Sequence, residues 1–224
     1  MLKGVEMVCG TWWSSARVSV IVGLILVGLS PARAAGNDPD HFRGQVIAIT
    51  GSAIDIRTKS GATQRIQLVD QVTFLKLAPA SFADVDFGTY VGAVSEKIGD
   101  EIYSPIYRDS LSWLHRGLEL RIIEENLRGI AVGHRKWDLT PDSVMTHGWV
   151  DDLEIRVLSI KYGPTEAEET DVEIARDLRI LRMGLGDRGL VRQDAHIFAG
   201  ARKGAGGYVA EFVMVGVDGV VPGL

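Results

Sequence analysis

The sequence predicts a mainly β protein built from two small β-barrels in tandem, preceded by a leader that is removed. Apolar residues after position 43 alternate with a period of two, and glycine-rich turns separate them. The same order of strands and turns returns after about 104 residues. Period-two alternation is typical of half-buried strands, and short strands without intervening helices are typical of barrels and sandwiches.

The first 34 residues have the parts of a secretory signal. Lys3 and Arg17 precede an apolar run over 18–29, and Ala32-Arg33-Ala34 supplies small residues for cleavage. A helix over that run rises about 18 Å, too short for a hydrocarbon core of about 30 Å. We therefore expect cleavage after Ala34 and a periplasmic or secreted chain. The alternative is an uncleaved membrane anchor.

Charge and cysteine content exclude several classes of protein. The chain has 24 Lys and Arg, 29 Asp and Glu, and a net charge of −5. Removing the leader leaves 21 basic and 28 acidic residues, a net charge of about −7, which disfavours nucleic acid as a partner. The one cysteine, Cys9, lies in the leader, so the mature chain has no disulfide and no thiolate metal site. No later segment is apolar for long enough to span a bilayer.

The first barrel repeat is predicted over 42–127. Ile54 and Ile56 alternate with Asp55 and Arg57 between glycine turns, as a half-buried strand does. The end of this repeat is ambiguous, because two patterns overlap there. A strand accounts for Leu118, Leu120 and Ile122, whereas a helix accounts for Leu111, Leu114, Leu118 and Ile122.

The second repeat is predicted over 148–217. Gly44-Gln45-Val46 corresponds to Gly148-Trp149-Val150, and Lys97 corresponds to Lys203. The identities are few, so a chance match of generic strands is the alternative. Because strand order and turn order agree throughout, we favour duplication.

Residues 128–147 match neither repeat and are predicted to be an irregular linker. This segment contains His134, Trp137, Asp138 and His147. Loops of this length in compact proteins are usually functional or wrap over the surface. These four residues are therefore the candidate ligand-binding residues.

The block Gly133-His134-x-x-Trp137-Asp138-Leu139, with Ser143-x-Met145-Thr146 after it, resembles a family of secreted proteobacterial proteins of unknown function. The resemblance implies a signal peptide and tandem OB-like β-barrels over nearly all of the mature chain. Some relatives are labelled metal transporter permeases, which the short apolar leader contradicts. The chain departs from the family at His147, where relatives commonly have Asn, and by extra residues around 109–116.

Two interpretations of the linker residues remain open. In the first, His134, Asp138 and His147 bind a divalent ion, and their imidazole and carboxylate ligands suit zinc or copper. In the second, Trp137 fills a crevice between the barrels, Asp138 caps a turn, and His134 is hydrogen-bonded at the rim. Because the second is favoured, we predict neither a cofactor nor a metal site.

The sequence contains no catalytic constellation, and no G-x-S-x-G nucleophile elbow is present. We therefore predict a non-enzymatic, exported binding or assembly module whose partner is an unknown envelope protein or small ligand. The alternative is a periplasmic metal-handling accessory protein that uses the linker histidines.

Overall fold

The chain folds mainly into β-strands, which confirms the predicted fold class at that level. The structure, a computed structural model, describes residues 39–98 and 114–223, so the predicted leader lies outside it. Within these residues no helix is both long and apolar enough to cross a membrane. The strands are β1 (Asp40–Thr50), β2 (Ala53–Thr58), β3 (Thr63–Gln67), β4 (Thr73–Pro79), β5 (Tyr90–Lys97), β6 (Leu114–Ile123), β7 (Gly133–Lys136), β8 (Ser143–Leu153), β9 (Val157–Lys161), β10 (Glu169–Glu173), β11 (Arg179–Leu185), β12 (His196–Gly204) and β13 (Gly207–Gly216). Short 3-10 helices cover Phe82–Asp84, Glu125–Leu127, Glu166–Glu168 and Arg188–Leu190.

Five strands form a closed β-barrel between residues 90 and 173, which we call the inner barrel. Strand β5 pairs antiparallel with β6 and β8, and β9 joins β8 to β10. A parallel pairing of β10 with β6 closes the ring. Its interior is apolar and includes Val91, Leu120 and Ile160.

The first three strands and the last two form another closed circuit of hydrogen-bonded neighbours, which we call the terminal circuit. Strand β1 pairs antiparallel with β2 and β12, and β2 with β3. Strand β12 pairs with β13, and a short parallel pairing of β13 with β3 completes the circuit. Ile54, Ile66 and Val213 belong to the apolar cluster of these strands.

Strands β4 and β11 connect the inner barrel to the terminal circuit. They pair antiparallel with each other, with Leu77 opposite Met183. Strand β4 also pairs in parallel with β13, and β11 pairs in parallel with β6. A third apolar cluster gathers here and includes Leu77, Met183, Tyr90 and Phe198.

The pairings on the two sides of β4 and β11 follow one pattern. Val91 pairs with Gly148 in the inner barrel, and Ile197 pairs with Gly44 in the terminal circuit. Register shifts fall at matching places, namely Val46/Ala48, Val150/Asp152, Val94/Ser95 and Gly200/Ala201. Residues at the same place in this pattern are called corresponding residues below.

The pairing differs from the predicted domain boundaries. Strands from both predicted repeats, 42–127 and 148–217, contribute to the inner barrel and to the terminal circuit. Alternation determines which face of a strand is buried but not which strand lies beside it. The predicted linker 128–147 is irregular only in part, because β7 and the start of β8 lie within it and pair with each other.

The ambiguous end of the first repeat is a strand. Strand β6 runs from Leu114 to Ile123 and has partners in β5, β10 and β11. The register shift opposite Val94 and Ser95 explains the mixed pattern, because one extra residue reverses the alternation.

Candidate functional site

The structure places the four predicted site residues in three different environments. His134 pairs with Thr146 across β7 and β8, while His147 is the next residue along β8. Neighbouring residues of a strand point to opposite faces, so His134 and His147 diverge. Asp138 lies beside β1 instead. The set that the alternative metal interpretation requires, His134, Asp138 and His147, is therefore not assembled, and the described residues contain no group of three or more His, Cys, Asp or Glu that could hold a metal ion.

Asp138 joins the segment after β7 to strand β1. It accepts hydrogen bonds from Arg43 Nη1 at 2.8 Å and from Arg43 Nη2 at 2.5 Å. His41 Nδ1 lies 3.0 Å from the same carboxylate. Burial on its own would raise the pKa of Asp138, but the hydrogen bonds from Arg43 and His41 outweigh it and hold the pKa well below its usual range.

Trp137 packs against the apolar cluster around β4 and β11. Its ring centroid is 4.8 Å from that of His41 and 5.8 Å from that of Phe198. The carbonyl of Trp137 accepts a hydrogen bond from the buried Ser143 hydroxyl, which also holds the turn at Thr140. Trp137 and Asp138 therefore fasten this segment to β1, and Ser143 rather than Asp138 stabilises the turn.

His147 is buried beneath β5. Its Nδ1 lies 3.1 Å from the carbonyl oxygen of Ala131, and its Nε2 has no hydrogen-bond partner. Gly92 makes room for the ring, because a Cβ there would lie 2.5 Å from His147 Nε2. Burial, assisted by the charges of Arg135 and Arg121, lowers the pKa of His147 to about 3. The ring is therefore neutral at physiological pH.

A buried ion pair lies beside His147 on the same face of the sheet. Arg121 pairs with Gly92 across β5 and β6, and its Nε donates to Glu119 Oε1 at 2.6 Å. Both residues are 1% exposed. Arg179 Nη1 lies 3.5 Å from the other carboxylate oxygen of Glu119. Charges this deeply buried need their partners, since an isolated one costs several kcal/mol.

One end of the inner barrel is polar. Thr146 pairs with Ala93, which belongs to the barrel core, so the Thr146 side chain also faces inward. Ser95 and Thr146 are both 0% exposed. Two histidines satisfy their hydroxyls: His115 Nδ1 lies 3.1 Å from Ser95 Oγ, and His134 Nδ1 lies 2.9 Å from Thr146 Oγ1. We call these four residues the polar end.

The two histidines of the polar end are neighbours. Their ring centroids are 5.8 Å apart, and Tyr162 stacks on His134 with centroids 5.5 Å apart. Burial and the nearby charges of His134 and Lys97 lower the pKa of His115, and burial lowers that of His134. The polar end therefore presents two neutral imidazoles, each held at Nδ1, to a partly solvent-exposed rim.

The corresponding end of the terminal circuit has different chemistry. Phe42 corresponds to Thr146, since it pairs with Ala199 as Thr146 pairs with Ala93. Tyr208 corresponds to His115, since each pairs with a lysine, Lys203 and Lys97 respectively. Phe42 and Tyr208 pack edge to face with centroids 4.6 Å apart. Ala201 takes the place of Ser95. This end is closed by aromatic packing.

Sequence reasoning found His134 but missed His115, Ser95 and Thr146. The signal was present in the repeat alignment. Aligning Gly44 with Gly148 also aligns Phe42 with Thr146, and aligning Lys97 with Lys203 also aligns Ser95 with Ala201. Polar residues at positions that are apolar in the other repeat were the feature to look for.

Searches of protein-family models, curated proteins and solved structures found no match to this chain.

Proposed function

We propose that this chain is an exported, non-enzymatic binding or assembly module of the bacterial envelope, formed by two OB-like β-barrels related by internal duplication. The shared pairing pattern and matching register shifts support the duplication. Under this proposal the terminal circuit is the second barrel. The resemblance to secreted proteobacterial proteins belongs to the same proposal.

The polar end carries the proposal. Burying a hydroxyl group costs free energy unless it is hydrogen-bonded, so Ser95 and Thr146 oblige the barrel to keep two histidines in place. The terminal circuit tolerates Ala201 and Phe42 at the corresponding positions, so the fold does not require polar residues there. A costly feature that the fold does not require is best explained by a ligand or partner.

Native mass spectrometry of the chain recovered from the envelope tests this proposal. We expect a bound small molecule, ion or protein that is lost in the double variant Ser95→Ala and Thr146→Val, which keeps the side-chain volumes similar. The matched control is Tyr208→Phe in the terminal circuit, which should retain the bound species. A wild-type chain that carries nothing, or equal recovery in both variants, would contradict the proposal.

Export is tested separately. If the leader is cleaved after Ala34, the intact mass of the chain from the periplasmic fraction will match residues 35–224. A retained leader in a membrane fraction would favour the anchor instead. The binding proposal does not depend on this outcome, because all four residues of the polar end lie after the leader.

A metal-handling accessory protein is the second candidate function. The alternative ligand set of His134, Asp138 and His147 does not support it, since these residues lie in different environments. The juxtaposition of His134 with His115 does support it, because neutral imidazole is a common ligand for divalent transition metals.

A further inference from the structure

We propose that His115 and His134 form a two-histidine site for a divalent transition-metal ion, copper or zinc, at the polar end of the inner barrel. This inference rests on the proposed binding function and names its ligand class. The two rings belong to β6 and β7, strands that do not pair with each other, so the tertiary fold brings them together.

One nitrogen of each ring is held by a hydroxyl group. Ser95 holds His115 Nδ1 and Thr146 holds His134 Nδ1, at 3.1 and 2.9 Å. Metal-binding histidines usually have one nitrogen fixed by an outer hydrogen bond, which orients the other toward the ion. The Nε2 atom of each ring is then the metal-binding atom.

The spacing of the rings fits a single ion. An ion bonded at about 2.0–2.1 Å to one nitrogen of each ring leaves the ring centroids roughly 5–6 Å apart. The observed separation is 5.8 Å, with the ring planes 71° apart. Two imidazoles leave the other coordination positions to water or to a ligand of the bound ion, and His134 is exposed enough to allow entry.

The protonation state of the rings also fits. A metal ion binds the neutral imidazole, and burial lowers the pKa of both His115 and His134. Lys97 adds to this effect at His115 but also repels a cation. Its side chain is exposed, which allows the ammonium group to remain in water.

Comparison with the terminal circuit indicates that the fold does not require this pair of histidines. Its corresponding end has Phe42 and Tyr208 in contact. Among the described residues, no strand pairs with β1 where β7 pairs with β8. The second histidine therefore comes from β7, which pairs with the inner barrel strand β8 and has no counterpart beside β1 in the described part of the chain.

Calorimetric titration of the purified chain with Zn²⁺ alone and with Cu²⁺ alone tests the site. We expect one ion per chain, with affinity at least about tenfold weaker in His115→Ala and in His134→Ala. His196→Ala is the matched control and should bind as the wild type does. Loss of binding in only one variant, or equal loss in the control, would overturn the two-histidine site.

Electron paramagnetic resonance of the Cu²⁺ complex gives a direct readout of the ligands. The wild-type spectrum should show hyperfine coupling to two imidazole nitrogens, and each single variant should show coupling to one. Binding without nitrogen coupling would assign the ion to surface carboxylates and overturn the proposal.

The variant Lys97→Gln sharpens the test, because it changes charge without removing a ligand. Removing the nearby cation should tighten Zn²⁺ binding about two- to threefold at low salt. Weaker or unchanged binding would place the ion elsewhere. If no metal binds while mass spectrometry still finds a species that depends on Ser95 and Thr146, the metal inference fails and the binding function stands. If neither is found, both fail.

Discussion

The inner barrel and the terminal circuit have the same strand pairings but opposite chemistry at corresponding ends. The inner barrel ends in Ser95, Thr146 and two histidines, whereas the terminal circuit ends in the packed rings of Phe42 and Tyr208. Since the same pattern of strand pairing accommodates both the polar and the aromatic residues, the pairing requires neither. The aromatic end contributes packing, and the polar end needs another explanation.

The same contrast extends to the faces that meet around β4 and β11. Gly92 pairs with His147 across β5 and β8, and Phe198 pairs with Arg43 at the matching place across β12 and β1. Gly92 therefore corresponds to Phe198, and His147 corresponds to Arg43. His147 fills the space left by Gly92, whereas Arg43 lies over the Phe198 ring with its Cζ atom 4.6 Å from the centroid. The polar residue of the inner barrel, His147, is therefore buried. The charged residue of the terminal circuit, Arg43, forms an ion pair with Asp138 instead.

The largest expected effect comes from replacing Arg121, a buried charged residue whose counterpart in the terminal circuit is apolar. Arg121 corresponds to Met214, and the two side chains touch. Arg121→Met should lower the free energy of unfolding by about 3–5 kcal/mol, because Glu119 stays buried and, among the residues that the structure describes, keeps Arg179 alone as an ion-pair partner. Urea denaturation at pH 7 measures this change.

The double variant of Arg121→Met with Glu119→Leu serves as its control. It should recover most of the lost stability, since an apolar pair replaces the ion pair without leaving an unpaired charge. A single variant that costs less than about 1 kcal/mol would show that Arg121 does not neutralise Glu119.

Acid should weaken the chain through His147. In the unfolded chain this imidazole has its ordinary pKa of 6.5, whereas burial in the folded chain lowers the pKa to about 3. The contribution of the neutral His147 ring to the free energy of unfolding is therefore fully present above pH 6.5 and is lost as the pH falls toward 3. Lowering the pH from 6.5 to 5 should cost about 2 kcal/mol.

Denaturation curves at several pH values check this expectation, with His147→Gln as the comparison. The variant should show a shallower decline over the same range, whatever its stability at pH 7. Equal slopes would mean that His147 is solvated in the folded chain.

The smallest effects come from exchanging single corresponding residues at the two ends. Ala201→Ser places a hydroxyl in an apolar interior and should lower the free energy of unfolding by at least about 1 kcal/mol. Ser95→Ala should change it by less than about 1 kcal/mol, since the partly exposed His115 can turn to water. Thermal denaturation measures both, and equal costs would show that the two ends share one environment.

Much of the strand content could be predicted from the sequence. The alternation of Ile54 and Ile56 locates β2, and the turn before Tyr208 locates the hairpin of β12 and β13. The partners of these strands could not be predicted in the same way. Strand β1 pairs with β12 across about 150 residues, and local periodicity carries no information about such distant edges.

The candidate site was predictable only in part. His134 stood out because it belongs to a segment without a counterpart in the other repeat. His115 did not, because a single histidine in a strand with mixed periodicity gives no local signal. The register shift at Val94 and Ser95 turns its side chain toward the polar end, and such shifts are not evident from residue types.

The nested order of the strands determines the sequence of events while the chain is made. All five strands of the inner barrel lie within residues 90–173, so that barrel can close before synthesis is complete. Strand β1 must wait for β12, which begins only at His196. Strand β1 can pair early with β2, but its other edge is among the last to find a partner, and a chain shortened before His196 would leave that edge exposed to other molecules.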